Sequence, residues 1–171
     1  IDAFFLGGAQ IDGQANINLV GIGEDYPRQK VRWSGSFGSA FLYFVVPRVI
    51  LFREEHTTRT LVSKVDFISA PGTSAPEVYR PGGPHALVTS RCLFLFDKAR
   101  ARFRLESVHA GHTVDEVREN TGFDFDCPDD VPTTSPPEPE ILALLRGEVA
   151  TLVADPYPQF AARLWGVGRA A

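Results

Sequence analysis

Residues 3–6 of the chain, Ala-Phe-Phe-Leu, form an unbroken apolar run with no polar alternation, and Gly7 and Gly8 end it. A short apolar run bounded by turn residues predicts a strand buried on both faces, with a buried helix segment as the alternative that pattern alone leaves open. Two adjacent glycines permit backbone conformations and close approaches that a Cβ would block. In open α/β sheets, ligands bind just beyond the carboxyl ends of the strands. Gly7, Gly8 and Gln10 are therefore expected to line a ligand crevice. A plain tight turn after a core strand fits the two glycines equally well.

Beyond this strand the pattern reads as α/β. Asp12-Gly13 marks a turn with positive φ, and strands over 17–22 and 31–33 flank a loop at 24–30 broken by Pro27. Gly35-Ser36-Phe37-Gly38-Ser39 leads into the apolar stretch 40–46, a short buried helix that starts near Ser36 or Ser39 and stops at Pro47. A serine at such a start caps free amides, and the same amides can cradle an anion or an oxyanion. The spacing matches neither a P-loop nor a dinucleotide fingerprint.

Further strands are expected at 49–52, at 61–64 with 66–68 (a pair, or one kinked strand), and at 86–89, 92–96 and 102–108. The last two are joined by a hairpin turn at 97–101. Thr113 and Glu116 have capping-box spacing for a short helix that ends at Thr121-Gly122. Residues 128–139 read as an extended connector rich in proline and acid. Two helices follow at 140–154 and 157–165, split by Asp155-Pro156, with Ile141, Leu144, Leu145, Val149 and Leu152 on one face. The expected organisation is an α/β domain over 1–134 and a helical extension over 135–171.

Several side chains carry possible chemistry. Glu54, Glu55 and His56 follow Arg53 at a strand end, a candidate acid/base cluster whose bland alternative is a solvated, ion-paired loop. The irregular stretch 70–84 is stiffened by Pro71, Pro76, Pro81 and Pro84, and predicts a rigid loop that carries Tyr79, Arg80 and His85 to a site. Gly82-Gly83 again allows close backbone approach. His109 reads as a strand-end residue bonded to backbone rather than a metal ligand. Cys92 reads as core, and Cys127 sits in an acidic loop that disfavours a thiolate.

The bulk numbers narrow the function classes. A 171-residue chain with 44% hydrophobic and 22% charged residues is globular. A net charge of −4 gives no basic footprint for nucleic acid or an anionic membrane. No apolar stretch approaches a membrane span, and two cysteines suit reduced thiols in a cytoplasm. The chain has no methionine and opens inside a core strand, so it is expected to be a processed or cleaved piece of a longer one.

Five motif sets then occur in order: GGAQID with GQANIN, GSFGSA, VSKVDFISAPG, YRPGGPHALVTS, and LESVHAGHTVDEVRENTGFDF followed by DDVPTT. Together they resemble the B (β) subunit of family I coenzyme A transferases, most like the glutaconate type. The resemblance runs from Phe4 to about Thr134, and VHxGxTxxEVxxxTGF over Val108–Phe123 is its most specific part.

The resemblance implies an open, mostly parallel α/β sheet with flanking helices and an antiparallel hairpin. It also implies an A (α) subunit as partner, with an acyl-CoA substrate at the interface and no cofactor besides that coenzyme A. In the family, a B-subunit glutamate attacks the acyl-CoA carbonyl. It forms a mixed anhydride, then a glutamyl-CoA thioester, and passes coenzyme A to a second carboxylic acid, while glycine-loop amides stabilise the oxyanion. That glutamate lies upstream of the GGAQID strand in the family. No catalytic residue is therefore assigned on this chain, Glu54 and Glu55 are not put in its place, and a separate N-terminal fragment of the B subunit is an expected partner.

The implied substrate- or coenzyme A-contacting positions are Gly7, Gly8, Gln10, Gly35, Ser36, Phe37, Gly38, Ser39, Glu54, His56, Tyr79, Arg80, Gly82, Gly83 and His85. Arg53, Arg80 and His85 are the expected partners of a substrate carboxylate. Two departures stand out. Phe37 occupies a place where the family has small residues, and Ala110 and His112 alter the family's HPGVT. The implied activity is coenzyme A transfer on a short dicarboxylic, glutaconyl-type acyl-CoA. The alternatives are cofactor-free decarboxylation of such an ester, acyl-CoA hydrolysis, or a non-catalytic acyl-CoA-binding subunit.

Overall fold

The opening apolar run forms a strand, β1 (Ala3–Gly7), but only Leu6 is buried and Phe5 is 64% exposed. The expected burial on both faces is corrected by topology: β1 lies at the edge of its sheet. The computed structural model describes residues 1–23 and 26–167, so Glu24 and Asp25 of the expected 24–30 loop lie outside the described residues. Two compact units are present, Ile1–Thr134 and Ser135–Ala171.

In the first unit, β1 is followed by four two-residue strands, β2 (Gln10–Ile11), β3 (Ile17–Asn18), β4 (Gly21–Ile22) and β5 (Val31–Arg32). Helix α1 (Ser39–Val45) leads to β6 (Arg48–Arg53), β7 (Pro84–Thr89), β8 (Cys92–Asp97), β9 (Arg102–Val108) and α2 (Val114–Glu119). The main sheet has the order β1-β6-β7-β8-β9, with β1, β6 and β7 parallel and β7, β8 and β9 antiparallel. This is the α/β architecture expected from the sequence.

One row crosses the whole sheet: Leu6 pairs with Leu51, Leu51 with Leu87, Leu87 with Phe94, and Phe94 with Leu105. All five side chains are buried, each worth roughly 1.5–3 kcal/mol of hydrophobic stabilisation. Phe94 anchors the aromatic end of this core, with ring centroids 5.0 Å from Phe125, 5.9 Å from Phe103 and 6.2 Å from Phe123.

Side chains replace ladder bonds where the sequence pattern had predicted strands. Asn18 Oδ1 accepts the Val20 amide at 2.9 Å, which breaks the expected 17–22 strand into β3 and β4. The expected strands at 61–64 and 66–68 are absent. The Val65 amide there donates to Asp12 Oδ2 (3.4 Å) and the Asp66 amide to Gln10 Oε1 (3.1 Å). At the Asp12-Gly13 turn the positive φ falls on Ala15 (60°), because the Asp12 carboxylate collects the Gln14 and Asn16 amides at 3.1 and 3.0 Å.

Helix α1 is less buried than its composition implied, with only Ser39 and Tyr43 inside. The capping box at Thr113 and Glu116 is formed, as the spacing predicted. Gly122, however, serves a close approach rather than a left-handed cap. Its amide donates to the Leu61 carbonyl at 2.7 Å, and a Cβ there would lie 2.5 Å from that oxygen. The 128–139 connector is pinned to β9, with the Val108 amide on the Pro132 carbonyl and the Thr134 amide on the Val108 carbonyl.

The second unit holds α3 (Pro139–Leu144), a π turn (Leu145–Val149), α4 (Ala150–Ala154) and α5 (Pro158–Trp165). The break near Asp155-Pro156 falls where proline predicted it, but Ile141, Leu144 and Leu152 are exposed. No helix among the described residues is long and apolar enough to cross a membrane.

Candidate functional site

The parallel strands β1, β6 and β7 direct their carboxyl ends to one rim of the sheet, where open α/β folds bind ligands. Gly7 and Gly8 leave β1 at this rim, and Gly7 pairs with Phe52 in β6. Arg53 ends β6 there, followed by Glu54, Glu55 and His56. Helix α1 runs through Val46 and Pro47 into the start of β6, and its amino end is preceded by the turn Gly35–Ser39.

That turn has an unusual backbone. Gly35 has φ +113° and Phe37 has φ +50°, and the Phe37 ring is 85% exposed. A left-handed phenylalanine costs about 1–2 kcal/mol. The expected serine cap is absent: the Ser39 hydroxyl and amide both donate to the Ser36 carbonyl, at 2.6 and 3.0 Å. Among the described residues, no hydrogen bond engages the Phe37 or Gly38 amide. Two exposed amides beside a left-handed residue can receive an anionic oxygen.

The strand-end glycines differ from each other. A Cβ on Gly7 would make only ordinary contacts with Phe52, the nearest at 3.5 Å. On Gly8 it would press on Ile11 Cγ1 (3.0 Å) and the Gln10 carbonyl (3.1 Å), so Gly8 serves packing. Gln10 does not line a crevice. It is buried, and its Oε1 accepts from Asn18 Nδ2 (2.7 Å) and the Asp66 amide (3.1 Å).

The acid/base cluster resolves into separate roles. Glu55 is bound by Arg59 at 2.7 Å and Arg53 at 3.3 Å, and the Arg59 hydrogen bond is the main reason its carboxyl titrates below the usual range. Arg53 is half-exposed, and its Nε is buried without a hydrogen-bond partner. Glu54 is exposed. His56 is buried, with Nδ1 2.8 Å from Thr89 Oγ1 and Nε2 3.0 Å from Thr121 Oγ1. The Thr121 hydroxyl donates to the Val117 carbonyl, so it accepts from Nε2–H and fixes the neutral tautomer. Burial, reinforced by Arg91, pushes the imidazole down to about 4. His56 is a strut, not a surface base.

The remaining sequence-predicted residues stand at the other end of the sheet, because the 70–84 loop feeds the start of β7. The Gly82 amide donates to the Phe44 carbonyl (2.9 Å) and the Gly83 amide to the Val46 carbonyl (3.1 Å), closing the end of α1. Arg80 Nη2 donates to the Tyr43 carbonyl (3.0 Å) and Nη1 to the Pro71 carbonyl (2.8 Å), with the guanidinium stacked on Tyr43 and Phe44. It is a loop latch, not a free carboxylate receptor. Tyr79 and His85 are exposed at that far end. The loop is tied to the carboxyl end of α1 and leads away from the rim.

Sequence reasoning missed the residues that hold the rim. Thr89 and Thr121 lie within the YRPGGPHALVTS and TGF motifs, where nothing marks them as site residues, yet they clamp His56, and the Tyr43 hydroxyl donates to the Ala15 carbonyl at 2.8 Å. It also missed a cleft of about 610 Å³ whose walls include Gln14, Lys64, Arg100, Arg102 and Phe123. Arg100 and Arg102 there are both paired with Asp126, which no local pattern signals.

Comparison with known proteins places these features in context. Residues 1–120 match the family model described as coenzyme A transferase. The B subunit of glutaconate CoA-transferase from Acidaminococcus fermentans is 32% identical over 85% of this chain and 56% of its own length. The crystal structure of that enzyme superposes with a TM-score of 0.74, at 31% identity over 85% of this chain and 57% of the matched one. The B subunit of 3-oxoadipate CoA-transferase from Pseudomonas knackmussii is 36% identical over 90% of this chain and 61% of its own length.

The IpdB subunit of a cholesterol ring-cleaving hydrolase from Rhodococcus jostii is 31% identical over 82% of this chain and 56% of its own length. The IpdAB structure gives a TM-score of 0.77 at 30% identity, over 85% of this chain and 59% of that one. The chain thus spans little more than half the length of these curated relatives.

Proposed function

This chain belongs to the coenzyme A transferase family, and we propose that it forms part of the B-type subunit in an enzyme that moves coenzyme A between carboxylic acids. Its partners in this reading are an A-type subunit, an acyl-CoA and a further B-type segment that brings the attacking carboxylate to the rim. The observation that carries the reading is the match of residues 1–120 to the coenzyme A transferase family model, and the free Phe37 and Gly38 amides of the turn Gly35–Ser39 are suited to receive an oxyanion.

The chemistry assigned to the rim is acyl transfer. A carboxylate oxygen adds to the thioester carbonyl, and the turn amides receive the oxyanion that develops. The C–S bond breaks, the coenzyme A thiolate leaves, and a mixed anhydride remains. The thiolate then attacks the enzyme-derived carbonyl of that anhydride and releases the first acid. The second acid reverses both steps. Glu55 is a poor candidate for the attacking group because Arg53 and Arg59 hold both of its oxygens. Arg53, half-exposed at the end of β6 with Nη2 on Glu55, is the guanidinium this reading assigns to a distal carboxylate of a dicarboxylic acyl group such as glutaconyl.

A second reading is hydrolysis, supported by the 31% identity to the ring-cleaving hydrolase subunit. The assembled complex, given glutaconyl-CoA and acetate, separates the outcomes. Formation of acetyl-CoA supports transfer. Free glutaconate without acetyl-CoA supports hydrolysis, and release of carbon dioxide with a butenoyl-CoA product supports decarboxylation.

A further inference from the structure

The cleft of about 610 Å³ opens beside the β8–β9 turn, at the end of the sheet where β6 and β7 begin. Lys98 Nζ in the same turn reaches the Pro47 carbonyl just ahead of β6. Residues 12–16, 63–68 and 122–124 supply the other walls, and each is fastened by the fold. The Val65 amide donates to Asp12 Oδ2, the Gly122 amide donates to the Leu61 carbonyl, and the Phe123 ring stacks on Phe103 at 5.5 Å. A cleft of this size with walls set by the fold falls in the range of small-molecule sites.

Lys64, Arg100 and Arg102 line it, and one carboxylate, Asp126, meets two of the three. Arg102 Nε, buried 3.0 Å from Asp126 Oδ1, is too poorly aligned to form a hydrogen bond, so charge alone holds that pair. The other guanidinium nitrogens of Arg102, Nε and Nη2 of Arg100, and Lys64 Nζ make no hydrogen bond among the described residues. Of the carboxylates on the walls, Asp124 is exposed, and Asp12 is buried with its oxygens on the Gln14 and Asn16 amides and on Asn16 Nδ2. Phe123 and Ile68 form the apolar part of the lining, and Ile68 is 50% exposed. Guanidinium forks with unused donors beside an exposed isoleucine suit an anion that carries an apolar body.

We propose that this cleft binds a small organic anion, with its carboxylate or phosphate group on the Arg100 and Arg102 forks and its apolar body against Ile68 and Phe123. Either head group can be held by two parallel N–H bonds from a guanidinium. Asp126 keeps the two forks side by side, and the incoming anion competes with it for their donors. The site is independent of the acyl-CoA chemistry proposed for the rim.

Calorimetry on the assembled complex tests it with phenyl phosphate, benzoate and inorganic phosphate. Phenyl phosphate or benzoate binds, and whichever binds tighter assigns the head group to a phosphate ester or a carboxylate. Inorganic phosphate, which has no apolar body to bury, binds at least about tenfold more weakly than phenyl phosphate. Arg100→Gln and Arg102→Gln each weaken the tighter probe about tenfold, the effect of losing one charge-assisted bond. Asp126→Asn strengthens it on the order of tenfold by removing the competing carboxylate. That variant keeps the backbone bonds of residue 126 to Phe103 and Leu105. Affinities unmoved by all three substitutions, equal affinities for phenyl phosphate and inorganic phosphate, or no binding of any probe would each overturn the proposal. Displacement of the probe by coenzyme A would make the cleft part of the acyl-CoA site and overturn it as well.

Discussion

His56 Nε2 lies 3.0 Å from Thr121 Oγ1, tying the segment after β6 to the residue just past the end of α2, while Nδ1 meets Thr89 at the end of β7. Because the imidazole is held near 4 in the folded chain and titrates near 6.5 when unfolded, the unfolded state binds more protons between those values. Stability is therefore complete above about 6.5 and declines as pH falls toward 4. Thermal unfolding at stepped pH values should show a falling Tm across this window. His56→Gln should flatten the slope, and an unchanged slope would remove His56 as its source.

Arg80 should matter for stability and not for catalysis. Arg80→Met removes two bonds to backbone carbonyls and the stacking on Tyr43 and Phe44, a loss of about 1–3 kcal/mol. Denaturant titration should register that loss, while KM for acyl-CoA stays within about twofold. A large rise in KM with unchanged stability would put Arg80 back at the substrate.

Two glycines that look alike in sequence should respond oppositely to alanine. A Cβ on Gly82 would lie 2.3 Å from the Val46 carbonyl and 2.7 Å from that of Phe44, so Gly82→Ala should cost more than about 2 kcal/mol. Gly7→Ala should stay within roughly 0.5 kcal/mol, since its contacts are ordinary. Paired unfolding curves check both.

The cysteines should separate by reactivity. Burial pushes the Cys92 thiol up to about 12, whereas Cys127 is only half-buried. A thiol reagent at neutral pH should label Cys127 first and reach Cys92 only after unfolding. Rapid labelling of both would contradict the packing of Cys92 behind Thr89.

Local chemistry was legible in the sequence wherever a short-range rule decides it. The Thr113–Glu116 capping box, the turn between β8 and β9, and the break at Pro156 depend on neighbouring residues, and all three formed. The fold class followed from the alternation of apolar runs with glycine-rich turns. What could not be read was which end of the sheet each loop occupies. Tyr79, Arg80, Gly82, Gly83 and His85 have the chemistry of a site, but the first four precede β7 and His85 opens it, which places them at the end of the sheet opposite Gly7. The polar residues of GQANIN misled for a related reason. Asp12, Asn16 and Asn18 bond amides over fifty residues away or in their own turn, and nothing local separates that use from ligand binding.

Arg53 should carry the distal carboxylate. Arg53→Gln should raise KM for glutaryl-CoA about tenfold, in line with the loss of one charge-assisted pair worth ~1.5 kcal/mol, and leave a monocarboxylic acyl-CoA less affected. Equal changes for both donors would assign Arg53 to the Glu55 ion pair alone.

The most direct test of the central claim is isotope exchange on the assembled complex. Incubation of an unlabelled acyl-CoA with a labelled free carboxylic acid should move label into the thioester pool with no net loss of thioester. Consumption of the acyl-CoA with no label in the thioester pool would contradict coenzyme A transfer at this rim.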